Sequence, residues 1–181
     1  MYKGYRLKRT FDFCLALSGL VLSFPLWCLI CLFIWLEDRG NVFYIQERVG
    51  LEGKIFKLLK FRTMGYRKEN SPLARILRTT ALDELPQLVN ILRGEMSFVG
   101  PRPLVPQELC LQIDFPDRAS VRPGLTGVAQ LLVSKNASIL EKAKYDSWYA
   151  QKQSFSLDIL LILRSFWVSL SRKWDKLSIH K

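Results

Sequence analysis

Residues 13–36, FCLALSGLVLSFPLWCLICLFIWL, decide the fold because 24 consecutive positions contain no charged side chain. The hydrocarbon core of a bilayer is about 30 Å thick and is filled by about 20 apolar residues in a helix. The sequence therefore predicts a membrane helix. A cleaved signal peptide is the alternative, but the run is long, and Glu37-Asp38-Arg39 after it offers no small-residue cleavage site. We expect the helix to be retained.

Both flanks of this apolar run are basic. Lys8 and Arg9 precede it, and residues 39–78 contain ten Lys or Arg against three acidic residues. Under the positive-inside bias both flanks prefer the cytoplasmic side. Pro25 predicts a kink near the middle, where Ser23 can bond a carbonyl that Pro25 and its neighbours leave free. A re-entrant helix and a kinked span both satisfy these residues.

The net charge indicates the kind of partner, and the scarcity of histidine limits which side chains are expected to do catalysis. The 181 residues suffice for one domain, and a net charge of +11 indicates an anionic partner. His180 is the only histidine and is the penultimate residue, so catalytic work is expected from Asp, Glu, Lys, Tyr or Ser. The cysteines do not suggest a disulfide scaffold and are predicted to be buried apolar side chains. They are Cys14, Cys28, Cys31 and Cys110.

Short strands and helices are predicted downstream of the apolar run. Residues 42–45 and 54–61 predict two strands of a small hairpin, separated by a turn that contains glycine. Apolar periodicity predicts helices at 73–78, 138–149 and 155–174. The last of these is rich in Leu, Ile, Phe and Trp and also suits a membrane surface. The expected fold class is α+β, mostly helical with a few short strands.

The stretch 82–103, LDELPQLVNILRGEMSFVGPRP, carries the predicted chemistry. Asp83 and Glu84 could simply begin a helix, with Thr80 or Asp83 as its N-cap, because acidic residues complement a helix N-terminus. That interpretation leaves Arg102 unexplained, since its two flanking prolines hold one guanidinium rigidly and a guanidinium matches phosphate oxygens. Paired carboxylates followed by a fixed arginine indicate phosphate chemistry.

Three more cations are candidates for the same chemistry. Lys60 lies on the second predicted strand, where it could equally belong to an ordinary solvated edge. Arg78 lies just upstream of the acidic pair, and Arg122 stands beside Pro123 in a glycine-containing turn that allows close backbone approach to a ligand.

Taken together, these motifs resemble those of the bacterial sugar transferases, the small monotopic polyprenyl-phosphate phosphoglycosyl transferases that initiate glycoconjugate assembly. The resemblance covers almost the whole chain. It rests on Lys8-Arg9 with Asp12, Lys54-Ile55-Phe56-Lys57, Lys60-Phe61-Arg62-Thr63-Met64, Leu82-Asp83-Glu84-Leu85-Pro86-Gln87, Gly100-Pro101-Arg102-Pro103 and Arg122-Pro123-Gly124-Leu125-Thr126-Gly127.

The resemblance implies a reaction and roles for residues. A UDP-sugar gives its phosphosugar to polyprenyl phosphate, and UMP leaves. Asp83 is the expected nucleophile and forms a phosphosugar-aspartyl intermediate, while Glu84 and Asp146 are the expected ligands of Mg²⁺. The predicted phosphate- or nucleotide-binding residues are Lys60, Arg78, Arg102 and Arg122.

The resemblance also favours the re-entrant topology. Residues 1–38 would form the re-entrant helix, and residues 39–181 a catalytic domain on membrane lipid at the cytoplasmic face of the bacterial inner membrane. A homo-oligomer is allowed, and no nucleic-acid partner is expected. Two departures from the family pattern are Ser23-Phe24-Pro25, which bears on the bend, and residues 131–136, which bear on substrate choice. The alternative function is a non-enzymatic, membrane-anchored module that binds anionic lipid or a partner.

Overall fold

A computed structural model describes residues 5–63, 71–134 and 136–171. Within these ranges helices dominate and the strands are short, so the predicted α+β class is confirmed. The helices are α1 (Lys8–Asp38), α2 (Pro72–Thr79), α3 (Gln87–Arg93), α4 (Cys110–Asp114), α5 (Pro116–Ala119), α6 (Val128–Leu132), α7 (Ile139–Lys152) and α8 (Phe155–Ser171). The strands are β1 (Phe43–Val49), β2 (Ile55–Phe61), β3 (Ser97–Val99) and β4 (Gly124–Thr126).

Helix α1 contains the whole predicted membrane segment and is long and apolar enough to cross a membrane. Pro25 lies inside it. The Ser23 hydroxyl donates to the carbonyl of Gly19 at 2.6 Å. Its second contact is to the carbonyl of Leu20 at 3.5 Å, so Ser23 does bond backbone carbonyls in the turn that precedes Pro25.

One face of α1 packs against the rest of the protein along most of its length. Ala16 lies in a core with Leu88 and Ile91 of α3, and Gly19 also faces Leu88. Further along, Ile30 and Ile34 share a second core with Phe61, Leu77 and neighbouring side chains. The contact reaches the last turn, where the Ser71 hydroxyl donates to Glu37 at 2.9 Å. The helix is therefore part of one packed body rather than a separate anchor.

The opposite face of α1 is apolar and exposed, as shown by Leu22 at 82% and Phe24 at 63% exposure. This face explains why the cysteine prediction was wrong: Cys14 and Cys28 are exposed because they lie on the side of α1 that the domain leaves uncovered, and Cys110 is exposed in α4. Helix α8 also exposes large apolar side chains, among them Phe166 and Trp167. Its last three predicted residues, and His180, lie outside the described ranges.

The predicted hairpin is confirmed. Strands β1 and β2 pair antiparallel, with Tyr44 opposite Lys60 and Arg48 opposite Phe56. Directly opposed residues in such a pair point to the same face of the sheet. Because Phe56 is buried in the core beneath α3, Arg48 and Lys60 project from the inward-facing side of the hairpin.

The second sheet consists of β3 and β4, which pair parallel with Ser97 beside Gly124. Glycine is required at this contact, because a methyl group on Gly124 would lie 2.1 Å from the amide nitrogen of Gly100. The sheet therefore brings the turn after β3 directly against the turn before β4.

Candidate active site

The acidic pair lies in a single 3-10 turn, Leu82–Glu84, rather than in the first turn of a helix. Helix α3 begins only after Pro86, and no side chain caps its start, so the proposed N-cap role of Thr80 or Asp83 is wrong. Ala81 precedes the turn with a left-handed φ of 56°, a conformation that is costly for a non-glycine residue. The backbone therefore reverses sharply just before the two carboxylates.

Lys60 meets this turn from β2. Its ammonium lies 2.5 Å from Glu84 Oε1, so Lys60 is a partner of the acidic turn, and its contact with a phosphate stays a prediction. Burial raises the pKa of Asp83, and the neighbouring charge of Glu84 raises it further. The charges of Lys60 and Arg78 oppose that rise and favour the ionised carboxylate.

Arg78 lies in the last turn of α2, where its Nη1 donates to the carbonyl of Thr63 at 3.0 Å. This bond leaves other guanidinium donors on an exposed side chain, and its charge acts on Asp83. The structure thus brings Asp83, Glu84, Lys60 and Arg78 together from three segments, and their roles in phosphate chemistry stay predictions.

Asn90, which the sequence did not single out, holds the lysine strand in place. The Leu59 amide donates to Asn90 Oδ1 at 3.0 Å, and Asn90 Nδ2 donates to the Lys57 carbonyl at 2.7 Å. Asn90 is fully buried on α3. A buried polar residue within an apolar helix pattern was the available signal, since such a group needs partners.

The Gly-Pro-Arg-Pro turn is built on the second sheet. The Gly100 amide donates to Thr126 at 2.9 Å, and the Gly124 amide donates to Pro101 at 2.8 Å. Arg102 is exposed, and its carbonyl accepts a bond from Arg118 Nη2. The backbone is therefore held on both sides while the Arg102 guanidinium projects outward.

Asp146 lies behind this turn, where its Oδ2 accepts from Arg118 Nε at 3.0 Å. Burial raises the pKa of Asp146 to about 6, although the charge and the hydrogen bond of Arg118 oppose the rise. Through Arg118, Asp146 stabilises the backbone at Arg102. Among the described residues, no contact joins Asp146 to Glu84. Across the described ranges, no group of three or more His, Cys, Asp or Glu side chains could hold a metal ion. The role of Asp146 as a metal ligand stays a prediction.

Arg122 takes a different position from the other predicted cations. Its Nε donates to the carbonyl of Gly94, just beyond the end of α3, at 2.8 Å. This bond ties the segment before β4 to the helix that follows the acidic turn. The described contacts give Arg122 a structural role, and its substrate-binding role stays a prediction.

Arg48 is a further cation that the sequence analysis missed. Its Nη1 donates to the carbonyl of Pro103 at 3.2 Å, and its Nη2 donates to Gln46 at 2.7 Å. Burial lowers the pKa of Arg48, and the charge of Arg102 lowers it further. The available signal was the alternation of side chains between the two faces of a strand, because Arg48 and Lys60 lie on the same face of the hairpin.

A buried charged network, also missed, joins α1 to the second sheet. Lys8 Nζ lies 2.5 Å from Asp158 and 3.4 Å from Asp12. Asp12 accepts the Phe98 amide at 3.2 Å. The Tyr149 hydroxyl contacts Asp158 at 2.7 Å and the carbonyl of Val99 at 3.1 Å. The strand that leads into the Arg102 turn is thus tied to α1, α7 and α8.

The long apolar helix and the cations at the acidic turn are the features expected of a sugar transferase that associates with a membrane. The chain belongs to the bacterial sugar transferase family, whose sequence pattern, described as Bacterial sugar transferase, matches residues 3–172. This confirms the resemblance found in the sequence and makes the protein an enzyme of that family.

Named relatives agree with this assignment. The chain is 38% identical over 195 residues to the exopolysaccharide production protein ExoY of Rhizobium meliloti, covering 90% of this chain and 84% of the relative. It is 36% identical over 180 residues to a UDP-glucose:undecaprenyl-phosphate glucose-1-phosphate transferase of Caulobacter vibrioides, covering 87% and 67%. It is 33% identical over 200 residues to an undecaprenyl-phosphate galactose phosphotransferase of Salmonella typhimurium, covering 92% of this chain and 41% of that longer protein.

Proposed function

We propose that this protein transfers a phosphosugar from a UDP-sugar to a polyprenyl phosphate and releases UMP. The observation that carries the proposal is the ion pair of Lys60 with Glu84 next to a half-buried Asp83, on which the charges of Lys60 and Arg78 also act. Cations around a carboxylate allow an anionic diphosphate to approach an anionic nucleophile. Two relatives are named as transferases that act on undecaprenyl phosphate, which supports a polyprenyl phosphate as the acceptor.

The proposed chemistry has two displacements at one phosphorus atom. An oxygen of the Asp83 carboxylate attacks the phosphorus that bears the sugar, and the bond from this phosphorus to the bridging oxygen of UMP breaks. A phosphate oxygen of the polyprenyl phosphate then attacks the same phosphorus and displaces the Asp83 carboxylate. Two displacements allow a soluble donor and a lipid acceptor to use one site in turn.

Each cation then has a task that follows from its position. Lys60 and Arg78 hold oxygens of the reacting phosphate beside Asp83, and Arg102 holds oxygens of the second phosphate from its rigid turn. Both cations near Asp83 also favour its ionised form, which is the form that attacks.

Mg²⁺ is part of the proposal. Glu84 fits such an ion because its side chain is a third exposed and its Oε2 has no partner within the described ranges. Proteins commonly bind Mg²⁺ through one or two carboxylates together with substrate phosphates, so a large cage of acidic residues is not required. The ion would neutralise the diphosphate and stabilise the departing UMP.

We place the enzyme at the cytoplasmic face of the inner membrane, with α1 entering and leaving one leaflet. The supporting observation is that domain residues contact both ends of α1: Arg9 binds the Leu92 carbonyl, and Glu37 binds Ser71. A helix that crossed the bilayer would separate these ends by about 30 Å of hydrocarbon. Because polar residues of the domain bind both ends of α1, both ends are expected on the same side of the membrane. The exposed apolar faces of α1 and α8 suit contact with lipid.

The test is UMP release by detergent-solubilised protein from a panel of UDP-sugars with undecaprenyl phosphate and Mg²⁺. We expect release with one donor, and we expect Asp83→Asn to abolish it while exposed Asp114→Asn on α4 leaves it unchanged. Mass spectrometry of the wild type with donor alone should show a phosphosugar on Asp83. A folded Asp83→Asn variant with full release would refute the nucleophile. Membrane binding without release from any donor would favour the non-enzymatic module.

A further inference from the structure

Arg48 forms no ion pair with a carboxylate among the described residues. Its two contacts go to neutral acceptors, the Pro103 carbonyl and the Gln46 side chain. Its Nε is buried and has no hydrogen-bond partner among the described residues. A buried donor without a partner costs free energy comparable to a lost hydrogen bond, and more when the group is charged.

Arg102 is a second cation that forms no ion pair within the described ranges, and its backbone neighbour Pro103 contacts Arg48. The bond from Arg48 ends on Pro103, the neighbour of Arg102 in the chain. The side chain of Arg102 forms no ion pair or hydrogen bond with any described residue. Two prolines fix the turn and Arg118 holds the Arg102 carbonyl, so the backbone that carries Arg102 is held beside the Arg48 contact.

Two neighbouring guanidinium groups repel each other, and the charge of Arg102 indeed lowers the pKa of Arg48, after the larger effect of burial. The acidic groups that act on Arg48 in the opposite direction, Glu108 and Glu84, form no ion pair with it among the described residues. An anion placed beside both guanidinium groups would relieve the repulsion and accept from the donors of the exposed Arg102 side chain. Phosphate matches this need, because a guanidinium offers a planar fork to two of its oxygens.

We propose that Arg48 and Arg102 together form an oxyanion subsite that takes one phosphate group of the substrates. The subsite rests on the proposed function and extends it, since Arg48 projects from the same face of the hairpin as Lys60. Lys60 reaches the acidic turn and Arg48 reaches the proline turn, so the hairpin spans the two halves of the site. Phosphate oxygens of a nucleotide diphosphate and of a lipid phosphate share the chemistry that this subsite recognises.

The experiment measures anion binding without turnover. Thermal melting of the detergent-solubilised protein is followed in EDTA against rising inorganic pyrophosphate in one series and decyl phosphate in another. The variants are Arg48→Gln, Arg102→Gln and the control Arg93→Gln, whose exposed side chain lies in the last turn of α3. Arg48→Gln loses the bond to Pro103, which could disturb the proline turn. Arg102→Gln changes only an exposed side chain, so this second variant is expected to fold.

We expect the half-saturating concentration to rise about tenfold or more in both Arg48→Gln and Arg102→Gln, and to stay unchanged in Arg93→Gln. A rise for pyrophosphate alone assigns the subsite to the nucleotide donor, a rise for decyl phosphate alone assigns it to the lipid acceptor, and a rise for both indicates alternating use. Unchanged binding of both anions in folded Arg48→Gln, or in Arg102→Gln, overturns the subsite. Loss of binding in these variants, together with no UMP release by the wild type, would keep the subsite and refute the transferase.

Discussion

Arg118 and Asp146 form a buried ion pair directly behind the backbone of the Arg102 turn. Their side chains are 4% and 5% exposed, and Arg118 spans the 3.0 Å contact to Asp146 and a second contact to the Arg102 carbonyl. Family resemblance predicted a metal ligand at Asp146. The observed pairing makes Asp146 the group that orients Arg118, and through it the position of Arg102, while its role as a metal ligand stays a prediction.

Asp146→Asn should destabilise the protein by about 3 kcal/mol, because it leaves the buried charge of Arg118 without its partner. The measurement is the free energy of unfolding of the detergent-solubilised protein. Asp114→Asn, an exposed substitution on α4, is the control and should change it by less than about 0.5 kcal/mol. Equal stability of the two variants would mean that the pair does not hold the turn.

Lys60→Met should move the acidic limb of the pH–rate profile to higher pH. Asp83 must be ionised to attack, burial and Glu84 already raise its pKa, and Lys60 lowers it. Removing the Lys60 charge raises the pKa further, so activity is lost at a less acidic pH. The check is the pH dependence of kcat for UMP release. Lys57→Met on the opposite face of β2 should leave the limb in place, and an unshifted limb in Lys60→Met would contradict the assignment.

Gly124→Ala should abolish UMP release and strongly lower the thermal midpoint. Its new methyl group would lie 2.1 Å from the Gly100 amide nitrogen, and backbone at that distance cannot yield without separating β3 from β4. Gly19→Ala is the matched control, since its methyl group meets a Leu88 side chain at 3.4 Å. We expect the control to keep both properties. Normal activity in Gly124→Ala would show that the close approach of the turns is dispensable.

Tyr149→Phe should cost about 1 to 2 kcal/mol of stability, because its hydroxyl contacts both Asp158 and the Val99 carbonyl inside the protein. Denaturant unfolding of the solubilised protein measures the loss. Tyr145→Phe on the same helix removes an exposed hydroxyl and should be near neutral. If the two variants unfold alike, the buried network is not a significant tie between α8 and β3.

The two strands of the hairpin and the long helices were predictable because their signals are local. Short runs of apolar and aromatic residues on either side of a glycine-containing turn predicted the hairpin. Ser138, whose hydroxyl accepts the Glu141 amide at 3.1 Å, begins the predicted helix α7. The acidic turn was not predictable in detail. Leu85, Leu88 and Leu92 suggest a helix that begins at the acids, but Pro86 and the left-handed Ala81 place a tight turn there instead.

The sequence alone determined the membrane helix, the fold class, the acidic pair and the family, because apolar length, periodicity and motif order are written along the chain. Only the tertiary structure decided the pairings: Lys60 with Glu84, Asp146 with Arg118, and Arg48 beside the Arg102 turn. The physical reason is that electrostatic and hydrogen-bond partners are set by distances between side chains from remote segments. Those distances depend on how the cores pack, and they cannot be derived from a single sequence.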